Sequence, residues 1–171
     1  MRQAARTDAN RAVVLAVDPG NERSAVVVWD GEAVLDHLHT TNEFVLTYLR
    51  RRSAETVWPC AIEMIGHYGT GMPAGKTVFD TCVWIGRFMQ AYGADRVQTI
   101  LRPTIKTHIC GSARAKDANV RQALIDRFGG AEKAVGRKSQ PGPLYGIKAD
   151  EWQALALACT WLETNALRRI A

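Results

Sequence analysis

The stretch Val14–Gly31, VLAVDPGNERSAVVVWDG, decides how the chain is read. An apolar run ends in a single aspartate, Asp18, and Pro19-Gly20 follows at once. Strand interiors rarely carry carboxylates, because burying a charge is costly unless something compensates it. Two readings stand at this point: a metal ion compensates Asp18, or Asp18 is an Asx-turn residue at the strand's edge. Pro19-Gly20-Asn21 supplies a turn into a second strand, Ser24–Asp30. Trp29-Asp30-Gly31-Glu32 then turns the chain into a third, Ala33–His39. Three consecutive strands joined by short turns make an antiparallel meander.

Further along, Thr41 is placed to cap a helix running to about Arg51, with Glu43 in its first turn. Val57–Met64 reads as a fourth strand, centred on Ala61-Ile62-Glu63. The Gly-rich loop HYGTGMPAGK (67–76) precedes a helix over Thr77–Tyr92, with Val78, Cys82, Ile85, Met89 and Tyr92 on one stripe. Arg96–Leu101 is a fifth strand, and Asp117 stands as N-cap of a helix over Ala118–Phe128. Gly129–Lys148, rich in Gly, Pro, Ser and basic residues, reads as a mobile loop. A last helix spans about Asp150–Ala166, with Trp152, Leu155, Ala156, Cys159 and Leu162 facing inward. The order βββαβαβαα predicts an α/β chain with a mixed sheet flanked by helices.

The length of 171 residues suits one domain with a real hydrophobic core, taken as residues 12–171. The first eleven residues, MRQAARTDANR, read as a disordered polar arm. That arm lacks an apolar signal core, and no apolar run approaches the roughly 20 residues of a membrane span. The expectation is a cytoplasmic protein without a membrane partner. Cys60, Cys82, Cys110 and Cys159 form no CxxC pair and read as reduced packing residues, so a zinc site is not expected.

Net charge is +5, but its distribution says more. Between Gln98 and Ala149 there are ten Lys/Arg against three Asp/Glu, more than the whole positive excess. A local basic field attracts polyanions, nucleic acid first. The other reading is a solvated, solubilising face.

Three acids share a setting: Asp18 ends the first strand, Glu63 closes the apolar run CAIEM, and Asp150 opens the last helix. If the first and fourth strands are neighbours, Asp18 and Glu63 lie side by side, and the last helix can bring Asp150 over them. Clustered carboxylates must take up protons or bind cations. Mg²⁺ suits them, because it takes hard oxygen ligands and keeps several waters. Two such ions about 4 Å apart can clamp the attacking and leaving oxygens of a phosphoryl displacement. Taken singly, each acid has a plain alternative: Asx turn for Asp18, edge-strand acid for Glu63, N-cap for Asp150. A nucleotide-binding P-loop is excluded, because Thr70 stands where GxxxxGK[ST] needs its first glycine before Gly75-Lys76-Thr77.

At these residues the chain resembles the RuvC family of Holliday junction resolvases, and its bacteriophage-encoded branch in particular. VLAVDPGNERSAVVVW is similar to the family's first motif, and AIEM to the second, in which the acid follows Ala-Ile. IKTHICGSARAKDANVRQAL resembles the basic segment leading into a helix near DNA, and DEWQALALA the C-terminal motif. The four motifs occur in order, over roughly Val13–Trp161. The resemblance implies a ribonuclease H-like fold with a five-stranded mixed sheet, and a homodimer acting on four-way DNA junctions. It implies hydrolysis of DNA phosphodiesters dependent on Mg²⁺ or Mn²⁺, with two ions, and water as the attacking group. Asp18, Glu63 and Asp150 would then be catalytic metal ligands. Lys106 matches a lysine the family uses on the phosphate backbone, and Lys116 lies one position from a second. Arg114 and Arg121 belong to the same expected DNA-binding set. For a phage-encoded member the compartment would be the bacterial host's cytoplasm.

Two departures bear on that scheme. Cellular members carry a second carboxylate three positions into the last motif, where this chain has Gln153. Asp117 stands where cellular members have a basic residue, so Asp117 or Gln153 is a candidate for the remaining ligand position. After Gly66, Tyr68 is a candidate for stacking in an opened junction, and His67 reads as solvated. Two alternatives stay open: a less selective nuclease for branched DNA or RNA–DNA duplexes, and a DNA-binding protein of the same fold whose catalysis has decayed.

Overall fold

The computed structural model describes residues 12–66 and 75–168. Strand β1 is Val14–Asp18, and its run VLAV is fully buried, as an unbroken apolar strand requires. It pairs antiparallel with β2 (Arg23–Trp29), which pairs antiparallel with β3 (Val34–Thr41). On its other side β1 pairs parallel with β4 (Cys60–Met64), and β4 pairs parallel with β5 (Val97–Leu101). The expected five-stranded mixed sheet is therefore present, in the order β3-β2-β1-β4-β5.

Strand alternation divides the core in two. Leu15, Val17 and Ile62 face helices α1 (Asn42–Glu55) and α2 (Lys76–Tyr92), where Val45, Leu49, Ile85 and Phe88 meet them. Val14, Ala16 and Ala61 face the other layer, built from α3 (Arg102–Cys110), α4 (Asp117–Arg127) and α6 (Glu151–Arg168). Helix α6 lies on β1, β2 and β4 and under α3 and α4. Every residue from Glu151 to Trp161 is buried, so the apolar character runs all round the helix rather than along one stripe. Trp29 meets Phe128 edge to face at 5.5 Å, which seats the end of α4 on the sheet.

Several expectations are corrected. Strand β4 starts at Cys60, not Val57, because Pro59 has no N–H to give; its carbonyl accepts from the Leu15 amide at 3.1 Å. Thr41 precedes α1 but makes no side-chain cap bond; the Asn42 amide donates to the Glu22 carbonyl at 3.0 Å. Helix α3 was not expected; Pro103 sits in its first turn and Gly111 (φ 72°) closes it. Asp117 is not the N-cap of α4 but its first helical residue; the Lys116 amide donates back to Asn119 Oδ1 at 2.9 Å.

The segment Gly129–Lys148 is folded and packed rather than a mobile loop. It holds α5 (Ala131–Ala134) and the short pair β6 (Gly136–Arg137) and β7 (Gln140–Pro141). Leu144 is fully buried, its amide donating to the Ala134 carbonyl at 2.8 Å, while the Val34 amide donates to the Pro143 carbonyl at 3.0 Å. A Cβ at Gly142 would lie 2.3 Å from the Lys133 carbonyl oxygen, so that glycine serves close backbone approach. Cys60 and Cys159 are buried free thiols, and Cys82 and Cys110 are partly exposed. Among the described residues, no helix is long and apolar enough to cross a membrane.

Candidate metal centre and nucleic-acid interface

Strands β1, β4 and β5 are parallel, so their C-terminal ends share one rim of the sheet. The register Val17↔Ile62 sets Asp18 beside Glu63 one position later. By alternation both carboxylates point to the face covered by α6. Strand β4 lies inside the sheet, so Glu63, only 8% exposed, is no edge-strand acid. The turn after Asp18 is held by other groups. The Gly20 amide donates to Ser24 Oγ (3.1 Å), Ser24 Oγ donates to Asn42 Oδ1 (2.6 Å), and Asn42 Nδ2 donates to the Gly20 carbonyl (2.9 Å). Asp18 takes no part in those bonds, and the Asx-turn reading of it falls away.

Asp150 does occupy the N-cap position of α6: its carbonyl accepts from the amides of Gln153 (2.9 Å) and Ala154 (3.2 Å). Its carboxylate stays largely exposed, 3.5 Å from His39 Nε2. The residue before it, Ala149, is left-handed at φ 42°, which turns the chain sharply into the helix. Next to Asp150, the buried Glu151 accepts from the Lys148 amide at 2.7 Å, and its other oxygen lies 3.1 Å from His37 Nδ1. Sequence reasoning missed Glu151 and His37; the adjacent acids Asp150-Glu151 were the only signal.

Electrostatics tie these groups together. Burial, then the neighbouring charge of Glu63, holds the Asp18 carboxyl well above its usual range; Asp150 and Asp117 add to the effect and Arg102 opposes it. Burial raises Glu63 as well, against the pull of Arg102. Arg102 is the missed centre of the site. Its Nη1 donates to Glu63 Oε1 at 2.7 Å and its Nη2 to Asp117 Oδ1 at 2.8 Å. Lys106, one helical turn on, brings Nζ to 3.3 Å from the same Asp117 oxygen. Burial works to raise Asp117, but the two cations outweigh it and its pKa is lowered. The place of Arg102 straight after β5 puts it on the carboxylate rim.

Of the expected DNA-binding residues, Lys106 reaches the site directly, while Arg114 and Lys116 are exposed on the approach to α4. Arg121 is exposed and lies over the Trp152 ring, 5.4 Å from its centroid. Arg121, Lys148, Asp117, Asp150, Trp152 and Gln153 line a cavity of about 410 Å³ between the starts of α4 and α6. Gln153 is 6% exposed, and its side chain has no hydrogen-bond partner among the described residues. Arg127 locks the helices that carry this surface, donating to the His108 carbonyl (3.1 Å) and to Glu163 Oε1 (3.1 Å). Tyr68 and His67 lie outside the described residues.

Among the described residues, no three His, Cys, Asp or Glu side chains stand grouped to hold a metal ion. The Arg102 guanidinium supplies the positive charge at Glu63 instead. The donor chemistry of the rim nevertheless fits a hard divalent cation: two adjoining carboxylates, Asp18 and Glu63, both with raised pKa values from burial, with the charge of Asp150 near enough to bear on Asp18.

No protein-family model and no curated protein matches the chain. Solved structures do. The chain aligns with a Thermus thermophilus structure, "T. thermophilus RuvC in complex with Holliday junction substrate", at a TM-score of 0.64 and 14% identity, over 91% of this chain and 96% of that one. A second, "Thermus thermophilus RuvC structure", gives a TM-score of 0.63 and 16% identity over the same shares. Identity this low speaks for architecture alone. With its sheet order and its helices on both faces, the chain has the ribonuclease H-like fold seen in RuvC.

Proposed function

We propose that the chain is a divalent-metal-dependent endonuclease that hydrolyses DNA phosphodiesters at four-way junctions or other branched DNA. The observation that carries this reading is the parallel pairing of β1 with β4, which sets Asp18 beside Glu63 at an open rim under a basic helical layer. Asp18, Glu63 and Asp150 would hold Mg²⁺, or Mn²⁺ in its place, with Asp117 or Gln153 as the remaining ligand where a second ion binds. Bound there, the metal supplies Lewis-acid stabilisation of charge on the phosphoryl group and lowers the pKa of water. The chain's own residues position the substrate: Lys106, Arg114, Lys116 and Arg121 offer cations to successive phosphates, and Tyr68 offers a ring for an unpaired base. The complex with a Holliday junction named for one structural neighbour supports four-way DNA as the substrate class.

A homodimer fits this function, because two strands of a junction must be cut. Phe79 and Val83, one turn apart on α2 and both more than 60% exposed, offer an apolar face for it. We place the chain with the phage-encoded branch on its departures from the cellular pattern, Gln153 and Asp117, with the host cytoplasm as its compartment. Gln153 also favours a second reading, a DNA-binding protein of this fold that no longer cuts. Cleavage of a labelled four-way junction against linear duplex in Mg²⁺, with Asp18→Asn in parallel, separates the readings. Junction-selective nicking lost in the variant supports the proposal. Equal cutting of linear DNA leaves a less selective nuclease, and junction binding without cleavage leaves the binding protein.

A further inference from the structure

Asp117 is an acid set among the cations that the nuclease reading assigns to phosphate. Arg102 and Lys106 stand four residues apart on α3 and so share one face of that helix. Both converge on a single oxygen, Asp117 Oδ1, at 2.8 and 3.3 Å. A carboxylate and a phosphodiester each carry one negative charge on a pair of equivalent oxygens, and the guanidinium fork fits either. We propose that Arg102 and Lys106 form a phosphate clamp beside the carboxylate pair, and that Asp117 fills it in the DNA-free chain as an internal stand-in for the scissile strand.

The proposal rests on the nuclease reading and adds to it a substrate-binding residue, Arg102, and a regulatory contact. Exposure makes the exchange feasible. The Arg102 and Lys106 side chains are 28% and 16% exposed, whereas the Asp117 side chain is 58% exposed and free to turn outward when a phosphate arrives. Once displaced, Asp117 remains in the first turn of α4, where an acid is favoured by the helix dipole. The other arm of Arg102 rests on Glu63; a divalent cation held by Glu63 would supply that positive charge in its place and leave the guanidinium to the phosphate. A metal-ligand role for Asp117 would require the ion to displace both cations first.

The test is the affinity of the full chain for a fluorescein-labelled four-way junction in EDTA, read by anisotropy. Asp117→Asn and Asp117→Ser, which keeps a polar residue in the first helical turn, are each expected to bind about tenfold tighter, the scale of one charged hydrogen bond. In an Arg102→Gln/Lys106→Gln background that gain should vanish. Unchanged or weaker binding in both Asp117 variants overturns the stand-in, as does a gain that persists without the clamp. Binding that behaves as expected in a chain that cuts no DNA in Mg²⁺ upholds the clamp and overturns the nuclease reading. Absence of DNA binding in every variant overturns both.

Discussion

Ser24 and Asn42 meet inside the core, hydroxyl to amide oxygen at 2.6 Å, and Asn42 returns an amide proton to the Gly20 carbonyl at 2.9 Å. The turn that follows Asp18 is thus fixed from β2 and α1 rather than by the acid itself. Asn42→Ala strips partners from the Ser24 hydroxyl and the Gly20 carbonyl together. Its expected cost is about 1–3 kcal/mol of stability, the penalty of unsatisfied buried polar groups. Urea unfolding measures this; junction cleavage should fall more steeply than stability, because Asp18 loses its placement.

Charge is the next point of leverage. Asp18 and Glu63 both have raised pKa values, so the native chain keeps protons that the unfolded chain gives up. Stability of the metal-free protein should therefore fall as pH climbs from the ordinary carboxylate range through the raised native values. Asp117, with its lowered pKa, works the other way: its stabilisation is present above its ordinary value and is lost as pH falls through the lowered one. Asp18→Asn removes one of the two adverse carboxylates. If that is worth about 1 kcal/mol at neutral pH, the unfolding midpoint rises by about 2–4 °C. A thermal scan across pH should show the decline flattened in the variant, and a parent curve rising steadily with pH would contradict the assignment.

Gln153 offers a gain-of-function test. It is buried beside Asp150 and lines the same cavity, so Gln153→Glu changes charge at nearly constant volume. Mn²⁺ binding followed by calorimetry should tighten by about tenfold, the scale on which site-shell changes alter metal affinity. The metal-free variant should be less stable than the parent, because one more buried carboxylate lacks a counter-ion.

Gly142 tests the packing of the basic segment. A Cβ there would meet backbone atoms of Lys133 and Ala134 at 2.3–2.6 Å. Gly142→Ala should cost about 2 kcal/mol or more, as overpacking does. A truly mobile segment would accept the methyl group at almost no cost, and chemical denaturation distinguishes the two.

The sheet was legible because its strands are apolar runs punctuated by Pro-Gly and Asp-Gly, signals that act over a few residues. The rim carboxylates were legible for the same reason: Asp18 and Glu63 interrupt those runs. Helix α3 was not. Its sequence, RPTIKTHIC, carries β-branched Thr104, Ile105, Thr107 and Ile109, all weak helix formers, and it is held by burial of Ile105 and Ile109 under its neighbours. Gly129–Lys148 misled through its glycines, which signal loops in a sequence but here permit backbone contact. Arg102 could be counted among the basic residues but not singled out, because its partners Glu63 and Asp117 lie 39 and 15 positions away.

The enclosure of α6 has a consequence for motion. Its amides from Glu151 to Trp161 are sealed between the sheet and two helices, so they should exchange with solvent deuterium only through global unfolding. Asp150 and Gln153 are thereby anchored to the slowest-opening unit of the chain. Helices α3 and α4, which carry Arg102, Lys106 and Asp117, complete that seal and are tied to each other and to α6 through Arg127. The carboxylate and cationic halves of the site thus stand on one cooperative unit, and the exchange of Asp117 for a phosphate asks only a side chain to turn, with the backbone left in register.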